Sequence, residues 1–123
     1  MIRFDHLVIN VSEIDAAKAW YVSVLGLEIE FDTPAAVGLK DDADFTLILT
    51  NDGAPASGVG LFFQVESVEA AYEEMVARGV TFLYPPQAND WGYGAGLLDP
   101  DNRLVGLWDQ DSMARHIAAQ SGS

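Results

Sequence analysis

Two histidines, His6 and His116, three tryptophans, and 19 acidic against 6 basic side chains are the chemical resources of this 123-residue chain, which contains no cysteine. Without thiolates there is no disulfide framework, and any metal site must be built from imidazole and carboxylate ligands. A divalent ion held for catalysis needs two or three such ligands converging on one point. The densest acidic run, Asp41-Asp42-Ala43-Asp44, lacks the regular spacing and closing Glu of an EF-hand and reads as a solvated loop. Aromatic chemistry is better supplied. In Asn89-Asp90-Trp91-Gly92-Tyr93-Gly94 two flat rings sit among glycines that free the backbone. Such a loop either stacks on a planar molecule or plugs the core. His6 reads either as a strand residue satisfied by a hydrogen bond or as a polar contact with the capacity of a base.

The net charge of −13 repels phosphate backbones and anionic membranes, which argues against nucleic-acid and membrane partners and favours cationic ligands. Its plainer use is solubility. No apolar run approaches the roughly 20 residues of a membrane helix, and Met1-Ile2-Arg3-Phe4-Asp5-His6 lacks the layout of a secretion signal. The expectation is a cytoplasmic protein. With half its residues apolar, the chain is long enough for one domain with a real core.

The elements that must position these residues come in two copies. At an offset of 54 residues, Ile9 to Ala17 aligns with Phe63 to Ala71, keeping Val11/Val65, Ala16/Ala70 and Ala17/Ala71. Each half opens with an extended apolar run, Leu7 to Val11 and Val59 to Val65, which predicts a strand. A polar residue follows: Ser12 with Asp15 three residues on, resembling a capping box with a shortened acid, and Ser67 in the second half. Helical spacing comes next, ending at Gly26 and Gly79, where a left-handed residue suits a helix terminus. Leu27 to Phe31 and Val80 to Leu83 then predict strands. Hairpins follow from Ala36 to Leu39 with Phe45 to Thr50, and from Ala95 to Leu98 with Leu104 to Asp109. The second turns at Asp99-Pro100-Asp101-Asn102, with Asn102 tolerating a positive φ. Asn51 to Ser57 is a linker, and the tail after Asp109 predicts a short helix through Ile117. The class is α+β, two βαβββ modules over 1–52 and 57–109 with a tail over 110–123.

This doubled layout, with His6 in the first strand, Trp20-Tyr21 before Val24-Leu25-Gly26-Leu27, Pro85-Pro86, Trp91-Gly92 and Asp99-Pro100-Asp101-Asn102-Arg103-Leu104, resembles the vicinal oxygen chelate superfamily of glyoxalases, bleomycin-resistance proteins and dioxygenases. The resemblance runs from Phe4 to Trp108. It implies curved sheets cupping a ligand, and commonly a homodimer. Metal-dependent members carry ligands near the first strand and on a later strand of each half. Carried over, those points fall on His6, Leu47, Gly60 and Gly106, of which only His6 is a donor. The resemblance therefore implies no metal and no cofactor here.

Alternation along a strand puts residues in phase with His6 on the ligand face. The expected contacts are His6, Asn10, Phe45, Leu47, Gly60, Phe62, Gln64, Gly106 and Trp108, with Trp91 and Tyr93 from the loop. Gly60 and Gly106 either make room for a ligand or serve backbone packing. An apolar wall with a few polar groups suits a small aromatic or amphipathic molecule, neutral or cationic. The alternative is a lyase or dioxygenase-type enzyme with substituted ligands, or with His6 as base.

Overall fold

Strand and helix alternate in the computed structural model, which describes residues 5–51, 60–89 and 91–121. The order is β1 (His6–Asn10), α1 (Ile14–Leu25), β2 (Glu28–Asp32), β3 (Ala36–Lys40), β4 (Thr46–Thr50), β5 (Gly60–Gln64), α2 (Val68–Ala77), β6 (Tyr84–Asn89), β7 (Gly92–Leu98), β8 (Leu104–Trp108) and α3 (Gln110–Ser121). The strands form two four-stranded mixed sheets of the same order, β1-β4-β3-β2 and β5-β8-β7-β6. The doubled βαβββ pattern is thus an α+β fold in which β1 runs parallel to β4 and β5 parallel to β8. The chain divides into two compact units, Met1–Ser57 with Asp99–Asp101, and Gly58–Leu98 with Asn102–Ser123. Among the described residues no helix is long and apolar enough to cross a membrane. Phe4 and most of the linker expected over Asn51 to Ser57 lie outside the described residues.

In the first unit α1 packs on β3 and β4, burying Ala17 and Tyr21 against Val37, Leu39 and Leu49. The Tyr21 hydroxyl donates to the Asp99 carboxylate at 2.7 Å. Gly26, at φ 73°, closes the helix in the left-handed conformation expected of it. The helix start differs from the capping-box expectation. Glu13 is the N-cap and makes no side-chain cap, while Ser12 gives its amide, at 3.1–3.2 Å, and its hydroxyl to the Asp101 carboxylate. Asp15 is one methylene shorter than the Glu or Gln that reaches back in a capping box, so the serine is left to another partner.

In the second unit Ser67 does cap α2, its hydroxyl accepting from the Ala70 amide at 3.2 Å. Asn102 takes the expected positive φ of 62°. The strand expected over Val80 to Leu83 is irregular instead, and β6 begins at Tyr84 with Pro85 and Pro86 inside it. Proline cannot donate to a ladder and is confined to edges and bulges. Here β6 is an edge strand, and the two prolines fall in the register shift between Tyr84 and Gln87. The apolar core of this unit is Leu61, Val68, Met75, Ala95, Leu97, Val105 and Leu107.

Candidate functional site

The register of the second sheet fixes which side chains share its open face. Phe62 pairs with Gly106 and Gln64 with Trp108, Gly106 pairs with Gly96, and Gly96 with Tyr84. The alternate residues Leu61, Val105, Leu107, Ala95 and Leu97 are buried on the other side. The middle of the open face is therefore bare backbone at Gly94, Gly96 and Gly106, and aromatic rings rest on it. A Cβ at Gly106 would stand 2.5 Å from the Phe62 ring and 3.2 Å from Trp91, and one at Gly96 2.5 Å from the Tyr84 ring. One at Gly94 would collide with Trp91 and the Leu107 carbonyl.

The rings also hold each other. Phe62 and Trp91 meet edge to face with centroids 5.1 Å apart, a geometry worth about 0.5–1.5 kcal/mol beyond burial. Trp91 Nε1 donates to the Tyr84 hydroxyl at 2.8 Å, and its amide donates to Asn89 Oδ1 at 3.0 Å. Asn89 Nδ2 in turn donates to the Gln87 carbonyl at 3.1 Å and the Gly94 carbonyl at 3.4 Å. Gly92, at φ 129°, turns the chain through a conformation that side-chain-bearing residues rarely adopt. The indole is thus fastened to the sheet at both backbone and ring.

Beside these rings is an open recess of about 330 Å³ lined by Phe62, Trp91, Trp108 and Met113. Two walls come from the sheet, one from the β6–β7 turn and one from α3. The Met113 sulfur lies over Gly92, 2.5 Å from where a Cβ would be. Among the described residues no charged side chain lines the recess, so it favours a flat apolar surface over a hydrated ion.

Phe62 and Trp108, expected from the sequence to share a face, are brought together with Trp91, expected from the loop. Gln64 is exposed beside Trp108. Gly60 and Gly106 lie on this face, but the space they leave is taken by Phe62, whose ring would be 3.1 Å from a Cβ at Gly60. Tyr93 departs from expectation. Along β7 it alternates with Gly92 and Gly94, so its side chain faces the helices. Its hydroxyl donates to Glu69 Oε1 at 3.0 Å, its ring lies 6.2 Å from that of His116, and the bond to Glu69, with burial, holds its pKa above the usual phenol value.

In the first unit the parallel register pairs His6 with Thr46, Val8 with Ile48 and Asn10 with Thr50. Leu47 therefore falls with Leu7 and Ile9, and at 6% exposure it belongs to the core. A one-residue shift in strand register exchanges the two faces, and the acidic loop before β4 hides that register in the sequence. By the two registers, Ile48 is the counterpart of Gly106. Phe45 precedes β4 at 36% exposure. His6 Nδ1 lies 2.8 Å from Asp5 Oδ2 with its side chain 46% exposed. Asn10 Oδ1 accepts from the Thr50 hydroxyl at 2.7 Å. Leu7 shares the face of Ile9 and Leu47 but is 38% exposed because β1 is an edge strand.

These side chains do not fit a metal ion at the four carried-over points. Gly60 and Gly106 offer no donor and are covered by Phe62, and Ile48 stands at the point first aligned with Leu47. Among the described residues no three His, Asp or Glu side chains gather as a ligand set.

Sequence reasoning missed Tyr84 and Met113. The Pro85-Pro86 pair disguises the strand that carries Tyr84. For Met113 the available signal was its i, i+4 spacing with Ile117 in the tail.

The family model described as the Glyoxalase/Bleomycin resistance protein/Dioxygenase superfamily matches residues 3–107. No curated protein matches the sequence. Among solved structures, the chain resembles TnmS3, an antibiotic binding protein from Streptomyces sp. CB03234, at TM-score 0.75 and 25% identity, covering 89% of this chain and 96% of that one. It resembles UcmS2 at TM-score 0.70 and 27% identity, covering 87% and 97%. A lactoylglutathione lyase from Agrobacterium tumefaciens, at TM-score 0.67, 19% identity and 85% and 90% coverage, shares the fold.

Proposed function

Because the chain belongs to the glyoxalase/bleomycin resistance protein/dioxygenase superfamily, whose fold hosts binders and enzymes alike, we propose that it binds a small aromatic or amphipathic molecule, neutral or cationic, without a metal. The observation that carries this reading is the recess between Phe62, Trp91, Trp108 and Met113, three rings and a thioether with no charge among them. Offset stacking or a cation–π contact with each indole contributes about 0.5–2 kcal/mol, and a thioether adapts to the shape of what it touches. The likeness to an antibiotic binding protein over nearly the whole of both chains supports sequestration of a drug-like compound.

The test is a panel of flat cationic drugs and neutral aromatic metabolites, read by tryptophan fluorescence and thermal shift. A ligand at a hundred times its dissociation constant stabilises the fold by about 2.7 kcal/mol. Trp108→Ala and Met113→Ala are expected to weaken binding at least tenfold. Trp20→Phe, in α1 of the first unit, is expected to leave affinity and quenching intact. If no compound of either class quenches the indoles or moves the melt, the binding reading fails.

One observation favours a second reading. Asp5 holds His6 Nδ1 and leaves Nε2 to accept a proton, as a general base requires. A turnover lost on His6→Ala, with recess binding unchanged, would establish it. For the assembly, the proposal is a homodimer. Leu7 and Val8, 38% and 52% exposed, lie on the edge strand β1, and such edges are ordinarily covered. A monomer by light scattering at all micromolar concentrations would count against it.

A further inference from the structure

The recess has a helical wall, and one buried side chain sets where that wall stands. Asp109 follows Trp108 directly and is 3% exposed. Its Oδ1 accepts from the Ser112 amide at 2.6 Å. Its Oδ2 accepts from the Val68 amide at 2.6 Å and the Ser112 hydroxyl at 3.1 Å. One carboxylate thus takes up amides that α2 and α3 leave unpaired at their N-termini. Its own carbonyl accepts from the Met113 amide at 3.1 Å. Trp108 and Met113, two of the four side chains around the recess, flank this junction.

We infer that Asp109 is the positioning residue of the binding site: by joining the start of α3 to the start of α2 it holds Met113 over Gly92 and so keeps the recess open to a flat ligand. Ordinary capping would need only the Ser112 amide, which a serine or asparagine at 109 could satisfy. The bond to Val68, 41 residues away in the chain, is what capping does not require. It fixes the angle at which α3 leaves β8. Without it α3 remains a capped helix with a free pivot at its first turn, and the Met113 thioether has no fixed place over Gly92. The bond also links the ends of the network in both directions: a ligand gripping Met113 must stabilise the Val68 and Ser112 amides.

The inference rests on the proposed binding reading for its affinity effects, and its test separates the two. Asp109→Ser retains a cap for α3 and cannot reach Val68; Asp109→Glu restores the charge with a longer reach. Binding is measured with acridine orange, a flat cation, and the wall is observed independently through the Met113 methyl resonance and its proximity to the Gly92 α-protons. The expected result is a folded Asp109→Ser variant in which the methyl loses its contact with Gly92 and acridine orange binds at least tenfold more weakly. Adding Met113→Ala to that variant should cost nothing further, because both changes remove the same wall. In the wild-type protein the dye should slow hydrogen exchange at Val68 and Ser112. Partial recovery of the methyl contacts in Asp109→Glu would support the inference. Unchanged methyl contacts in Asp109→Ser, or additive losses in the double variant, would overturn it. If acridine orange fails to bind the wild type, the binding reading loses that ligand class, while the methyl contacts still decide the role of Asp109. If Asp109→Ser does not fold, Asp109→Asn takes its place: it keeps the shape and one acceptor oxygen but cannot accept from both the Val68 and Ser112 amides, and the same readouts apply.

Discussion

The rings on the open face of the second sheet are in contact with backbone, and that makes glycine a requirement at Gly106. A Cβ there would enter the space of both Phe62 and Trp91, and neither ring can retreat into the sheet. Gly106→Ala is therefore expected to destabilise the fold by about 1–3 kcal/mol, the usual cost of overpacking, as measured by urea denaturation, and to alter the recess with it. Trp91 carries two roles at once. Read as a loop residue it would contribute little to stability, but its bond to Tyr84 and its contact with Phe62 make it part of the packing. Trp91→Ala should weaken ligand binding and also lower stability by about 2–4 kcal/mol. A melting temperature equal to that of the wild type would show that the indole is not held where the structure places it.

Among the elements, the junction of β8, α2 and α3 has a pH signature. Burial alone would push the Asp109 pKa up, but the amides of Val68 and Ser112, the Ser112 hydroxyl and the nearby Arg115 charge together hold it below the usual carboxylate value. A carboxylate depressed on folding contributes stability above its unfolded pKa and loses it as pH falls through the folded one. Asp109→Asn should accordingly be less stable than the wild type by about 1–3 kcal/mol at neutral pH. The difference should narrow only below about pH 4, near the unfolded carboxylate value. Paired denaturation curves at pH 7, 5 and 3 would measure it. A difference independent of pH would mean that the charge of Asp109 does not matter.

For the whole molecule, the −13 net charge acts on a ligand before contact is made. Among the described residues the recess has no charged wall, so there a cation's charge meets only the aromatic faces, while the surrounding field concentrates cations and speeds their arrival. Affinity for a flat cation should fall as salt rises from 20 to 500 mM, since the screening length shrinks to several ångström over that range. A neutral aromatic of similar shape should be unaffected or bind slightly more tightly. Titrations of both probes at three salt concentrations would separate field from contact.

The amino-acid pattern by itself determined the doubled βαβββ layout, because alternation, helical spacing, cap residues and glycine terminators are local and occur in both halves. Ser67, Gly26 and Asn102 do what their neighbours in the chain require of them. It also determined that Phe62 and Trp108 share a face, since both lie in uninterrupted strands where the phase can be counted. What depended on pairing between distant segments was decided only in three dimensions. The face of Leu47 turned on the register of β4 against β1, one residue either way. Tyr93 turned on where β7 begins, for it read as loop and became strand. Tyr84 entered the site because the sheet edge relieves two prolines of the donors they lack. Met113 arrived through a carboxylate that serves the start of its own helix and an amide 41 residues away in the chain. Period and propensity act over a few residues of chain, whereas register, edge position and long-range caps are set by which backbone groups meet, and only the folded chain specifies that.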